Sequence, residues 1–253
     1  MHSYAQTNIQ LFNQLHRQGY GATDLEAVVS AYELATVLMT GRFRASGKTF
    51  IAHLVGTASI LGSLQAPSPL VAAGLLHAVY LAGDFGDERP GISDAKREHV
   101  RSVIGEQVED YVCRYHALSW TDQSIRSVSG GLDGMTAMER DVVLMRLANE
   151  LEEFLDLGIL YCGEQRLQGT SGNLRCRLMV EMAQKLGFPS LAEDLTRTID
   201  ETAAATLPPE LRRPNARNSS ILLMPQSCQR LKDLLARRVA SLPGTAQRQP
   251  HDP

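Results

Sequence analysis

The chain has 253 residues, 43% hydrophobic and 21% charged, with a formal net charge of −3. That share of hydrophobic residues supports a large folded core, and the near-balanced charge gives no reason to expect nucleic acid or an anionic membrane as partner. The four cysteines, Cys113, Cys162, Cys176 and Cys228, are scattered with no CxxC pair, which reads as free thiols rather than a disulfide framework or a zinc ribbon.

Ile9, Leu11, Phe12 and Leu15 form an approximate helical stripe over 5–17. Thr23 stands three residues before Glu26, the capping-box spacing, and the apolar set from Leu25 to Leu38 carries a second helix to about 40, with Gly41 as its stop. GRFRASGKT, 41–49, is a basic connector. A mostly buried helix follows over 50–64, then APSP, with Pro69 in the first turn of a helix that is apolar nearly all round, PLVAAGLLHAVYLA. An exposed loop is predicted over 83–97, a helix over 98–118 and a Ser/Gly-rich loop over 119–135. Residues 136–160 form the strongest amphipathic helix, with Thr136 and Glu139 as a second capping box. A glycine-rich loop over 163–173 precedes helices at 174–186 and 189–205, joined by GFP. Beyond them come a linker with three prolines over 207–220, a short strand candidate ILLMP, a helix at 226–240 and a disordered tail. With no internal repeat and no βαβ alternation, the expectation is an all-α domain over 5–205 and a C-terminal extension over 206–253. No basic segment leads into an apolar run at the start, and no apolar stretch reaches membrane length, so a cytoplasmic protein is expected.

His53 and His77 sit on consecutive apolar helices. A single such histidine is ordinarily a core residue bonded to a nearby carbonyl. Two on neighbouring buried helices favour a shared site, since imidazole serves as metal ligand and as acid or base near neutral pH. On the later helix Asn149 and Glu153, four residues apart, share a face. Glu150 and Glu152 point elsewhere and read as a solvated acidic face, while Asn149 reads as a half-buried amide. SGKT at 46–49 lacks the first glycine of a phosphate loop, because position 42 is arginine. No G-x-S-x-G elbow is present.

RFRASGKTFIAHLVGTASIL, AAGLLHAVYLAGDFG and LMRLANELEEFLDL, in that order, resemble the hydrolase domain of the RelA/SpoT family in the HD superfamily of helical metal-dependent phosphohydrolases. MVEMAQKLGFPSLAEDL resembles the segment that closes that domain, so the similarity runs from about 30 to about 195. The family's His…His-Asp…Asp ligand pattern would fall on His53, His77, Ala78 and Asn149, and its acidic pair on Leu81 and Ala82. Neither carboxylate ligand is present, and an amide is a poor substitute on a divalent cation. The resemblance implies that Arg44, Ser46 and Lys48 keep the segment that helps hold a nucleotide.

Three readings stay open. In a repurposed enzyme His53, His77, Asn149 and Glu153 face a pocket, Tyr80 donates a hydrogen bond and Asp84 lies on the adjoining loop. Such a site needs no cofactor; alternatively His53, His77 and Glu153 or Asp84 rebuild a centre for iron, zinc or manganese. In a binding or regulatory protein Arg42, Arg44 and Lys48 hold a nucleotide or another phosphorylated small molecule without turnover. In an interaction protein the histidines are core relics, and the C-terminal extension serves a partner or a homo-oligomer.

Overall fold

The computed structural model describes residues 4–87, 89, 91–161, 174–211 and 221–222. The chain forms two compact units, Met1–Ile221 and Leu222–Pro253, and the helices below all belong to the first. The architecture is all-α.

Thr7 caps α1 (Asn8–Arg17) in a full capping box with Gln10. The second helix, α2 (Ala22–Met39), starts earlier than Thr23 predicts. Its cap is Gly21, whose N–H donates to Asp24 Oδ2 at 3.1 Å, so Thr23 lies inside the first turn. A two-residue strand β1 (Arg42–Phe43) opens the basic connector. Thr49 then caps α3 (Phe50–Ser63).

The apolar run after Pro67 is two helices rather than one. They are α4 (Ser68–Leu76) and α5 (Val79–Ala82), separated at His77 and Ala78. His77 Nδ1–H donates to Gly74 O at 2.8 Å, the carbonyl that an unbroken helix would offer to residue 78. The predicted 83–97 loop ends early, because Ser93 caps α6 (Asp94–Ile104). The expected 98–118 helix is interrupted at Gly105, whose φ of +82° is open to glycine, and continues as α7 (Glu106–Ala117).

The predicted 119–135 loop holds a helix, α8 (Asp122–Gly131), capped reciprocally by Thr121 and Ser124. Its buried residues Ile125 and Val128, followed by Leu132, carry a helical spacing that the surrounding serines and glycines mask. The capping box of Thr136 and Glu139 opens α9 (Ala137–Leu155) as expected. That helix stops short of 160: Leu157 takes a positive φ of 55° and α10 (Gly158–Tyr161) follows. α11 (Leu174–Lys185) and α12 (Pro189–Ala204) complete the bundle, and Ile221–Leu222 form β2. The predicted 163–173 loop, the 226–240 helix and the tail lie outside the described residues.

The core centres on α3 and α4. α3 packs on α1, α4 and α9, and α4 packs on α2 and α7. Among the described residues no helix is long and apolar enough to cross a membrane.

Candidate functional site

The site grows from the two buried helices. His53, in the first half of α3, is fully buried, and His77, at the end of α4, is 4% exposed. Their Nε2 atoms lie 3.2 Å apart. Because Gly74 O accepts from His77 Nδ1, that nitrogen carries the proton. In neutral His77 the Nε2 is therefore an acceptor and His53 Nε2 is the donor. His53 Nδ1 then faces the Glu152 carboxyl in a short hydrogen bond. That bond needs one further proton, shared by the pair. Burial first of all, then the Arg44 charge, holds His53 well below the usual imidazole range, and burial pushes Glu152 up. Lys48, bonded to the other oxygen of Glu152, pulls against that shift. Burial and neighbouring His53 hold His77 well below its ordinary value too, and its ring stacks edge-on against Tyr115 at 4.9 Å.

Glu152 is 2% exposed, so its reading as part of a solvated face is overturned. Glu150 is buried as well, held by Arg146 at 2.6 Å and Arg175 at 3.3 Å. The signal was present in the sequence. Met145, Ala148 and Glu152 follow one another at spacings of three and four residues, so the carboxylate sits on a core stripe and must have a partner there.

Gly56 on α3 gives Glu152 room. A Cβ at that position would lie 2.8 Å from Glu152 Cγ. Asn149, 5% exposed, is more deeply buried than expected and sits beside His53. Glu153 turns away from the histidines to pair with Arg44.

The basic segment is a tight hairpin. Arg44 N donates to Lys48 O at 2.8 Å, Gly47 N to Arg44 O at 2.9 Å, and Phe43 bridges to Thr49. The direct pairing of 44 with 48 places both side chains on one side of the hairpin, where α9 meets them. Arg44 pairs with Glu153, and Lys48 with Glu152 and with Asp156, the last at 2.7 Å. Burial alone would lower Lys48; the Glu152 and Asp156 carboxylates outweigh it and hold the ammonium above its usual range. Ser46 Oγ lies 3.5 Å from Lys48 N and beside Gly158.

Tyr80 and Asp84 stand apart from this network. Tyr80 donates to Glu109 Oε1 at 2.9 Å, and Glu109, fully buried, is also held by Arg97 and Arg101. Asp84 is exposed and turns its own loop, accepting from Gly86 N at 2.9 Å.

The donor set does not fit a divalent cation. The two Nε2 atoms converge, but Ala78 brings no ligand, Glu152 occupies the opposite nitrogen of His53, and Glu153 is taken by Arg44. Among the described residues no group of three His, Cys, Asp or Glu side chains is arranged to hold an ion. Surface depressions of about 520 Å³ beside Tyr20 and Pro67, and about 500 Å³ beside Arg101 and Met138, include none of these residues.

Comparison with known proteins bears on residues 35–119, which match the family model described as a domain of unknown function, DUF6817. The chain is 30% identical over 158 residues to a guanosine-3′,5′-bis(diphosphate) 3′-pyrophosphohydrolase of Haemophilus influenzae, covering 61% of this chain and 22% of that protein. It is 24% identical over 192 residues to a probable GTP pyrophosphokinase of Mycobacterium leprae, covering 72% and 22%. A solved metazoan SpoT ortholog that hydrolyses ppGpp shares 17% identity at a TM-score of 0.45, over 72% of this chain and 95% of that one. The chain spans 22% of the length of each of these two curated relatives. The chain is an all-α protein that resembles the RelA/SpoT hydrolases of the HD superfamily.

Proposed function

We propose that this chain binds a small phosphorylated or nucleotide-type ligand at the rim formed by Arg44, Ser46 and Lys48, without a bound metal and without Mn²⁺-dependent hydrolysis. One observation supports the absence of hydrolysis in this reading: each ring nitrogen of His53 and His77 has a partner inside the protein, so an ion or a substrate proton would have to displace one of those contacts. The rim supports binding. Arg44 and its partner Glu153 keep about a quarter of their side-chain surface in contact with solvent, at 25% and 28%, and two of the relatives are named for guanosine bis(diphosphate) and GTP chemistry. The test is incubation of the purified protein with guanosine tetraphosphate and Mn²⁺, alongside a nucleotide thermal-shift series. The expected outcome is no pyrophosphate release, with ligand-dependent stabilisation that Arg44→Ala removes. Release that is lost in His77→Ala would overturn it.

A second reading, a repurposed enzyme, draws on the His53–Glu152 pair, since a carboxylate behind an imidazole orients and polarises a general base. It requires a substrate to displace His77 from His53 Nε2, and metal-free turnover sensitive to Glu152→Gln would favour it.

A further inference from the structure

The partners of the two hairpin cations differ sharply in exposure. Glu152, at 2%, is sealed into the core and bonded to His53 as well as Lys48. Glu153 is 28% and Asp156 43% exposed. Glu153, in the last turn of α9, and Asp156, at its C-cap, both face the hairpin. Each meets one cation of the hairpin pair, Glu153 on Arg44 and Asp156 on Lys48. Buried pairs resist separation, whereas partly exposed ones exchange readily with other anions because water screens them and replaces what is lost.

We infer that Glu153 and Asp156 are internal competitors for the anion seat, occupying Arg44 and Lys48 until a diphosphate-type group displaces both. The inference rests on the binding reading above and adds its regulation and the class of group admitted. Glu152 shares its proton with His53, so at the rim Arg44 and Lys48 face Glu153 and Asp156, two positive formal charges against two negative. A single carboxylate or monoanion arriving from solvent therefore gains nothing over the partners already in place. A diphosphate carries more charge and more acceptor oxygens than either resident carboxylate, and it can fill the Arg44 fork bidentately while reaching the ammonium beside it. Glu152 stays with His53 throughout, so ligand exchange at the rim leaves the core unbroken. The competition also sets a threshold: weakly charged metabolites are turned away.

The test is calorimetric titration of the full chain with sodium pyrophosphate in EDTA, so that no metal bridges ligand and protein. Wild type is compared with Glu153→Gln/Asp156→Asn, and each variant's thermal transition is checked against wild type. The double variant is expected to bind about tenfold or more tightly than wild type, a gain of one decade in Kd. Adding Arg44→Ala to it should abolish the gain. Equal affinity in wild type and double variant would overturn the competitor role while leaving binding at the rim intact. A gain that survives Arg44→Ala would overturn it too, by placing the anion elsewhere. Failure of both proteins to bind pyrophosphate, with no stabilisation by nucleotides either, would remove the binding reading along with the inference.

Discussion

Glu152 joins the buried His53 Nδ1 to the half-buried Lys48 ammonium, which also holds Asp156. Truncation leaves His53 Nδ1 without a partner in the core and Lys48 with Asp156 alone. Glu152→Ala should destabilise the fold by about 3–5 kcal/mol, read as a lowered urea midpoint, and Glu152→Gln should recover part of it. His77 makes a pH prediction whose sign follows from its burial. Its folded pKa is held well below 6.5, so the unfolded chain takes up a proton that the native state refuses. Stability from this group is full above pH 6.5 and falls as the pH drops below it, by about 1.4 kcal/mol per pH unit. His53, also held well below 6.5, acts in the same sense and Glu152, pushed up by burial, in the opposite one from its unfolded value of 4.5 upward, so wild type alone shows a mixed slope. Urea unfolding of wild type and His77→Gln between pH 7 and 5 separates them: the variant should lose the His77 part of the slope.

At the scale of elements, the meeting of α3 and α9 depends on Gly56. A methyl group there would stand 2.8 Å from Glu152 Cγ and 2.9 Å from its Oε1, forcing the carboxyl off His53. Gly56→Ala should cost about 1–3 kcal/mol by overpacking, while a glycine-to-alanine change in an uncrowded helix gains helix propensity. Chemical denaturation gives the cost, and the His53 imidazole resonance should shift with it. Gly105 joins α6 to α7 with φ +82° and ψ 166°, a region open essentially only to glycine. Gly105→Ala should cost about 1–3 kcal/mol with the centre unchanged, so denaturation and the His53 resonance together distinguish strain at a junction from loss of the site.

For the whole molecule, the scaffold that resembles a metal-dependent hydrolase is closed around charges that satisfy one another. A ligand that binds only the native state raises the thermal midpoint in proportion to the logarithm of its concentration over Kd. Manganese at about 1 mM should therefore leave the midpoint of this chain unchanged, and differential scanning fluorimetry with and without the ion checks it. A rise abolished by His53→Ala would show that the two Nε2 atoms recruit an ion after all. The rim and the core are distinct in this architecture: the Arg44–Glu153 and Lys48–Asp156 pairs meet solvent, while the His77–His53–Glu152 chain joins three helices.

Sequence alone determined the helical class, the capping box at Thr136 and the paired histidines on consecutive buried helices, because these are properties of local spacing and of residue type. It also placed an alanine at 78 and an amide at 149, where the family resemblance would put carboxylates. Only the tertiary structure decided which carboxylate turns inward. Glu152 and Glu153 are neighbours in the chain, yet one reaches His53 through the gap at Gly56 and the other meets Arg44 on the hairpin. Likewise Tyr80, three residues after His77, bonds Glu109 on α7 and not the histidine pair. Such choices depend on where α9, α7 and the hairpin are brought against α3, a long-range arrangement that helical periodicity does not encode.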